Sequence, residues 1–469
     1  MRRLSGVDAD MLYAETPAWH MHVGGVVILD PSTAPGGFGY DQWRALMGHL
    51  TRQVPAFCER LVEVPLGLDR PVWVRDPDFD LDTHLHAATL EPPGDRKALA
   101  DLIGDLNRHK LDRARPLWEA WYIDGLEGGR VGSYFKLHHA LMDGVGGTTI
   151  MGHIFSFEPD GVYLSDEPAS DSEPMPSAPA LVLGAAGSLL GIPLRAARLL
   201  PRTARSLRRA LTRRERGSPD SAALPFRAPR TPFNHPVTAR RAMAFCSVPL
   251  ADAKTVREAF DATINDVVLA VCAGGLRRWL AGQGQLPDSP LVAAVPVSTR
   301  TAEQMDELGN RVSGWFATLA TNIDDPVERL RLVRQGAADA KGLYESGIED
   351  VVMDWADLPI PLVMTFGARL YAALNVSERM PPVFNLLVSN IRGADTLLYA
   401  GGAQVDAIYP LGPVLDSIGL NITVLSYRDS IDFAIVGCPD LSPDLWDLAD
   451  ALPAALAELV DATTAAQDE

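Results

Sequence analysis

The sequence predicts an α/β protein of two domains, and three observations carry that reading. The chain has 469 residues, more than one hydrophobic core of ordinary size accommodates. In both halves, short apolar runs with strand character alternate with segments whose apolar residues recur at helical spacing. Between the halves, residues 158–179 are rich in Pro, Ser, Asp and Glu, the make-up of a linker. The expected organisation is an N-terminal domain over residues 1–157, a connecting segment over 158–235 and a second domain over 236–469.

In the first domain, residues 4–29 mix a short helix with a strand-like run from His22 to Leu29. Residues 40–61 place Trp43, Leu46, Met47, Leu50 and Val54 on one helical face. Residues 78–90 alternate as a strand does, and residues 99–111 form an amphipathic helix with Leu102 and Leu106 on one side. Pro116, Leu117 and Trp118 lead into a strand over 120–123, and a turn at Glu127-Gly128-Gly129 feeds a second strand over 134–137. The pairs His20/His22 and His84/His86 each lie two residues apart on one strand face. No third ligand follows at metal-binding spacing, so no metal site is expected and these histidines read as structural.

The connecting segment changes character twice. Residues 180–194 are free of charge and mostly apolar; residues 195–216 then carry nine arginines with Leu199, Leu200, Leu207 and Leu211 between them. Two readings stay open, an anchor lying in a lipid interface or a solvated helix packed partly on the body. Pro193 and Pro201 are expected to interrupt any helix there. No stretch is read as the roughly 20 clean apolar residues of a membrane-spanning helix.

In the second domain, strands are expected at 244–248, 291–297, 384–389, 419–426 and 431–436, and helices at 251–260, 267–280, 350–374 and 444–460. Thr263 and Asp266 have the spacing of a capping box at the start of the helix over 267–280.

Composition narrows the function classes. A formal net charge of −18 argues against a nucleic-acid binder, which needs a basic surface. Cys58, Cys246, Cys272 and Cys438 are far apart and form no C-x-x-C pair, as expected of free thiols in a reducing compartment. No apolar stretch follows Met1-Arg2-Arg3, so a cytoplasmic location is expected. No G-x-S-x-G occurs, which excludes the nucleophile elbow of a serine hydrolase.

The chemistry concentrates in residues 133–147, SYFKLHHALMDGVGG. The strand over 134–137 delivers His138 and His139 at its end, and adjacent strand residues point to opposite faces. Asp143 follows His139 by four residues, and Gly144, Gly146 and Gly147 supply a permissive backbone beside it. An imidazole with an unperturbed pKa of about 6.5 suits proton abstraction near neutrality. A base with an orienting carboxylate is therefore favoured over a merely buried histidine.

HHALMDG resembles the HHxxxDG signature of the CoA-dependent acyltransferase superfamily. The wider chain is similar to bacterial wax ester synthase/acyl-CoA:diacylglycerol acyltransferases in five further segments: LSGVDADMLYAETPAWHMHVGG, LDRARPLWEAWYIDGL, NDVVLAVCAGGLRRWL, VSNIRG and DSIGLNITVLSYRDSIDF. The resemblance implies a pair of chloramphenicol-acetyltransferase-like domains, with the active site in a tunnel between them. It implies transfer of a long-chain acyl group from acyl-CoA to diacylglycerol, making triacylglycerol. A fatty alcohol acceptor, giving wax ester, is the alternative from the same chemistry; a non-catalytic lipid-binding protein of this fold is the reading from another class.

A thioester is already activated, so acyl-CoA serves as co-substrate and no cofactor is implied; the acceptor hydroxyl needs a base and the oxyanion needs donors. The resemblance assigns the base to His139 and a supporting place to His138. For Asp143 it implies a structural salt bridge to an arginine, and Gly144 permits close approach of substrate. Asn265 and Asp266 match the family's ND pair, and Trp118 matches its PLW element as an acyl-pocket candidate beside the reading of a core anchor. Asn265, Ser389 and Asn390 are the candidate oxyanion donors. Arg392 stands where the family often has proline. The implied protein is cytoplasmic and peripherally attached to membrane or lipid droplets through its arginine-rich segment; the sequence does not state its oligomeric state.

Overall fold

Among the described residues, two six-stranded sheets and a small three-stranded one organise the fold. The computed structural model describes residues 2–141, 150–159, 175–214, 228–298, 312–344, 370 and 376–467. In chain order the first part contains β1 (Arg2–Arg3), α1 (Gly6–Ala14), β2 (His22–Asp30), α2 (Tyr40–Gln53), β3 (Glu59–Val62), β4 (Val72–Arg75), β5 (Leu85–Thr89), α3 (Arg96–Asn107), β6 (Trp118–Leu126) and β7 (Arg130–His138). A long helix, α4 (Ala178–Arg214), precedes the second part. That part contains β8 (Ala242–Pro249), α5 (Leu250–Ala259), α6 (Ile264–Gly282), β9 (Val292–Ser298), β10 (Val312–Thr318), α7 (Pro326–Tyr344), β11 (Leu386–Arg392), β12 (Tyr399–Ala400), β13 (Ala403–Leu411), β14 (Leu420–Tyr427), β15 (Ser430–Gly437) and α8 (Leu445–Gln467).

The N-terminal sheet has the order β12-β13-β2-β7-β6-β5, and the C-terminal sheet β10-β9-β11-β14-β15-β8. β12 and β13 thus come from beyond residue 236 yet complete the N-terminal sheet. The reason lies in the pairing of β11 with β14, which is parallel and needs a crossover of a dozen or more residues. Here the crossover leaves for the other sheet, pairs β13 antiparallel with β2 and returns. Asp406 sits at the bulge of β13, where Arg130 binds it at 2.6 Å and Asp30 at 3.0 Å. The Tyr427 hydroxyl accepts from the Leu398 amide and donates to the Val405 carbonyl, tying the same crossover to β14.

Among the described residues, three large cores follow from this layout. One fills the C-terminal half around α6 and α8. A second packs α1 and α2 on one face of the N-terminal sheet and takes in Leu425 and Tyr427 of β14. The third is the seam between the sheets, where Val26, Trp121 and Tyr134 meet Phe245, Tyr409 and Val436. Close approach is built into the backbone: a Cβ on Gly24 would lie 1.9 Å from the Phe135 carbonyl oxygen, and one on Gly274 would lie 2.8 Å from Cβ of Ala455 in α8.

Several elements depart from the sequence reading. The helix read over 40–61 stops at Gln53, because Pro55 removes an amide and forces a turn before β3. α4 runs unbroken through Pro193 and Pro201; both are exposed, where water can serve the carbonyls those prolines leave unpaired. Within it, Ala178–Arg205 is long and apolar enough to cross a membrane by length and composition, contrary to the expectation of no such stretch. Leu181 and Ala185 of α4 pack on Val64, Val72 and Val74 beside the small sheet, while Leu183 and Leu190 are 74% and 83% exposed. The helix read over 350–374 lies outside the described residues apart from residue 370.

Candidate active site

β2 and β7 run antiparallel with His22 opposite His138, the last residue of β7, and His139 follows in the turn beyond it. His138 shares the seam face with Tyr134 and is 1% exposed; His139 is half-buried. The other face carries Phe135 and Leu137, and its core continues into Ile391 and Leu425 of the C-terminal sheet.

The backbone around His139 is clamped on both sides. Its own amide donates to the Met21 carbonyl at 2.6 Å, and the next amide, of Ala140, donates to Nδ1 of His138 at 3.0 Å. That bond makes Nδ1 of His138 an acceptor and places its proton on Nε2. Burial, together with the charges of Arg113, His139, Lys110 and His20, depresses the His138 pKa to about 3, so this ring is neutral at pH 7. Lys136, fully buried two residues earlier, ion-pairs with Glu119 at 3.1 Å and donates to the Leu106 and His109 carbonyls at the end of α3. Asp143 and Gly144 lie outside the described residues.

The opposite half brings two predicted residues together. Asn390, near the end of β11, donates from Nδ2 to Oδ1 of Asn265 in the first turn of α6 at 3.3 Å. The start of a helix presents amides and positive potential, which suits a developing oxyanion. Asp266 completes the capping box: its carboxylate accepts from the Thr263 amide at 2.9 Å and hydroxyl at 2.7 Å, and its own amide donates to the Thr263 hydroxyl. Ser389 precedes Asn390 and is half-buried opposite Thr423 of β14.

Trp118 is placed in the core. It is 1% exposed, its indole N–H donates to the Phe57 carbonyl at 2.8 Å, and its ring stacks on His84 at 4.6 Å and on Phe135 at 5.5 Å. No open face of the ring is left for a substrate in this arrangement. Arg392 is exposed and pairs with Asp395, while Gly393 meets the Ser426 carbonyl, where a Cβ would lie 2.4 Å away. Among the described residues no three or more His, Cys, Asp or Glu side chains are arranged to hold a metal.

Sequence reasoning missed Asn107, Arg241 and the Met21 carbonyl, all of which bear on the paired ends of β2 and β7. Asn107 bonds His22, and Arg241 reaches from the C-terminal half to the Ala18 carbonyl at 3.1 Å. A single Asn or Arg in an ordinary helix or loop carries no signal of its own. The paired spacing of His20 and His22 was the available clue.

Comparison with known proteins completes the picture. Residues 4–268 match the wax ester synthase/diacylglycerol acyltransferase catalytic domain, and residues 308–460 match the WS/DGAT C-terminal domain. A putative diacylglycerol O-acyltransferase of Mycobacterium tuberculosis is 39% identical over 466 residues, 98% of this chain and 90% of that protein. A second from the same organism is 35% identical over 459 residues, covering 97% of this chain and 99% of the relative. The wax ester synthase/diacylglycerol acyltransferase from Marinobacter aquaeolei VT8 superposes with a TM-score of 0.68 at 29% identity, over 98% of this chain and all of the other. The first condensation domain of the CDA synthetase, at 16% identity and a TM-score of 0.57 over 98% of this chain and 96% of its own, shares the fold. Two domain matches spanning most of the chain, together with relatives above one-third identity, place it plainly: it belongs to the wax ester synthase/diacylglycerol acyltransferase family.

Proposed function

We propose that this protein transfers a long-chain acyl group from acyl-CoA to the free hydroxyl of diacylglycerol, with His139 as general base. Family membership and relatives named as diacylglycerol O-acyltransferases support the reaction. The observation that carries the base is the double clamp on its backbone, Met21 on one side and the His138–Ala140 bond on the other. In the step, the neutral His139 imidazole takes the hydroxyl proton as the alcohol oxygen forms a bond to the thioester carbonyl carbon. The tetrahedral oxyanion collapses, the C–S bond breaks, and the thiolate of CoA leaves and receives the proton from the imidazolium. Asn265, in the first turn of α6, and Asn390, near the end of β11 and bonded to it, are the candidate donors to the oxyanion. Asp143 and Gly144 keep the places implied by the resemblance, an arginine salt bridge and a permissive turn. A fatty alcohol presents the same hydroxyl, so wax ester formation is the second reading that the family's name carries.

The test is a thiol-release assay with palmitoyl-CoA and diolein. His139→Ala is expected to lower turnover by about 10²- to 10⁴-fold with an unchanged circular dichroism spectrum, while His138→Ala keeps measurable activity. Undiminished CoA release by His139→Ala overturns the assignment. Offering diolein and hexadecanol together separates the two acceptors. The protein is further proposed to bind membrane or lipid-droplet surfaces from the cytoplasm through the exposed apolar side of α4 and its arginines.

A further inference from the structure

Behind the catalytic strand, where the two halves meet, lies a small cavity whose polar groups the acyl-transfer step leaves unused. His20, His22 and Asn107 line it from the N-terminal half, Arg241 and Val436 from the C-terminal half, and Val414 from the crossover. It leaves about 10 Å³ in which the centre of a water molecule can sit, room for one. His20 and His22 are 5% and 4% exposed, with ring centroids 5.0 Å apart.

The surrounding bonds decide which ring nitrogens remain. Oδ1 of Asn107 only accepts, so its 3.3 Å contact puts the His22 proton on Nδ1 and leaves a lone pair on Nε2. Nδ1 of His20 is buried without a hydrogen-bond partner. Nε2 of His22 is likewise buried without a partner. The neighbouring Arg241 guanidinium is occupied by the carbonyls of Ala18, Thr238 and Arg240. Two buried ring nitrogens without partners, one of them the acceptor Nε2 of His22, suit a water, which both donates and accepts, and the fixed positive charge beside them repels a cation.

Met21 lies between these histidines, and its carbonyl is the group that holds the His139 amide. We propose that His20 and His22 are positioning residues for His139, joined by one buried water in this cavity and acting through the Met21 carbonyl between them. Fixing the side chains at both ends of a three-residue stretch fixes the peptide in its middle, and with it the point where His139 begins. The inference rests on the reading of His139 as the base. A misplacement of about 1 Å at such a group costs about 10²-fold in rate.

The experiment compares His22→Leu and His22→Gln in the full-length chain, with palmitoyl-CoA and diolein, well below each variant's melting temperature. His22→Leu is expected to lower kcat by about 10- to 100-fold and to leave both KM values within about twofold. The Oε1 of glutamine keeps an acceptor near the place of Nε2, so His22→Gln recovers most of the kcat. The limb of the pH–rate profile stays where it is in the wild type, because the base itself is intact. Nitrogen-15 spectra of histidine-labelled protein at pH 7 show His22 as the Nδ1–H tautomer. Wild-type kcat in His22→Leu, equal losses in both variants, or an Nε2–H tautomer at His22 each overturns the proposal. Failure of the base reading shows elsewhere, as retained turnover in His139→Ala.

Discussion

At the scale of single residues, the buried His20, His22 and His138 are expected to make the protein sensitive to acid. Burial is the largest cause that lowers His20 to about 4 and His138 to about 3, and it puts His22 well below the usual 6.5. Arg241 and Lys110 add to the effect at His20 and Lys136 at His22, while Glu15 opposes it at His20. Each ring binds a proton more readily in the unfolded chain, so folding is most favoured where all are neutral. Stability from these groups is complete above the unfolded pKa of about 6.5 and drains away as pH falls through it toward the folded values. Urea titrations are expected to give a flat unfolding free energy between pH 8 and 7 and a steady decline between pH 6.5 and 4. In His20→Asn the decline is shallower; an unaltered slope in that variant contradicts the account. The sequence placed the two histidines of the motif at the end of a strand, and β7 ends at His138. The Asn107 and Arg241 that surround the cavity were not legible in it, because their partners arrive from distant segments.

At the scale of elements, periodicity identified the well-buried pieces and misjudged those governed by their surroundings. The faces of α2 and α6 and the Thr263–Asp266 cap were readable, since each is fixed by local spacing. α4 was not, because proline in an exposed helix leaves its orphaned carbonyls to water, whereas the sequence reading charged it the cost of a buried break. β13 escaped notice because the bulge at Asp406 breaks its alternation. α4 also carries the clearest prediction at this level. One side rests on the small sheet through Leu181 and Ala185, so deleting the helix would strip cover from Val64 and Val72 and confuse folding with binding. Replacing the exposed Leu183, Leu190 and Leu200 by Gln leaves that contact in place. In flotation with phosphatidylserine-containing vesicles, the triple variant is expected to stay with the protein fraction while the wild type floats. Because each arginine near anionic lipid adds on the order of 1 kcal/mol, wild-type binding also weakens in high salt. Equal flotation of the two proteins removes α4 as the membrane contact.

At the scale of the whole molecule, the two halves are less separable than their linker suggests. Composition marks a break around residues 158–179, and that was the basis for dividing the chain. A crossover from one sheet to the other is invisible to composition, because it changes strand pairing and not residue type. In the structure β13 hydrogen-bonds along the length of β2, Arg130 holds both Asp30 and Asp406, and Tyr427 and Asp432 of the C-terminal sheet bond the crossover's backbone. The seam adds Val26, Trp121 and Tyr134 against Phe245 and Tyr409, whose rings lie 4.8 Å apart. An N-terminal fragment of residues 1–235 would leave β2 as an open edge and expose that apolar face. The expected outcome is that this fragment binds a hydrophobic dye and unfolds in urea without a cooperative transition. The intact chain should lose helix signal and tryptophan burial in step. A fragment that melts cooperatively by itself would show that the N-terminal sheet closes without β12 and β13. His139 would then be held by its own half alone, and the interdomain cavity behind it would have no bearing on catalysis.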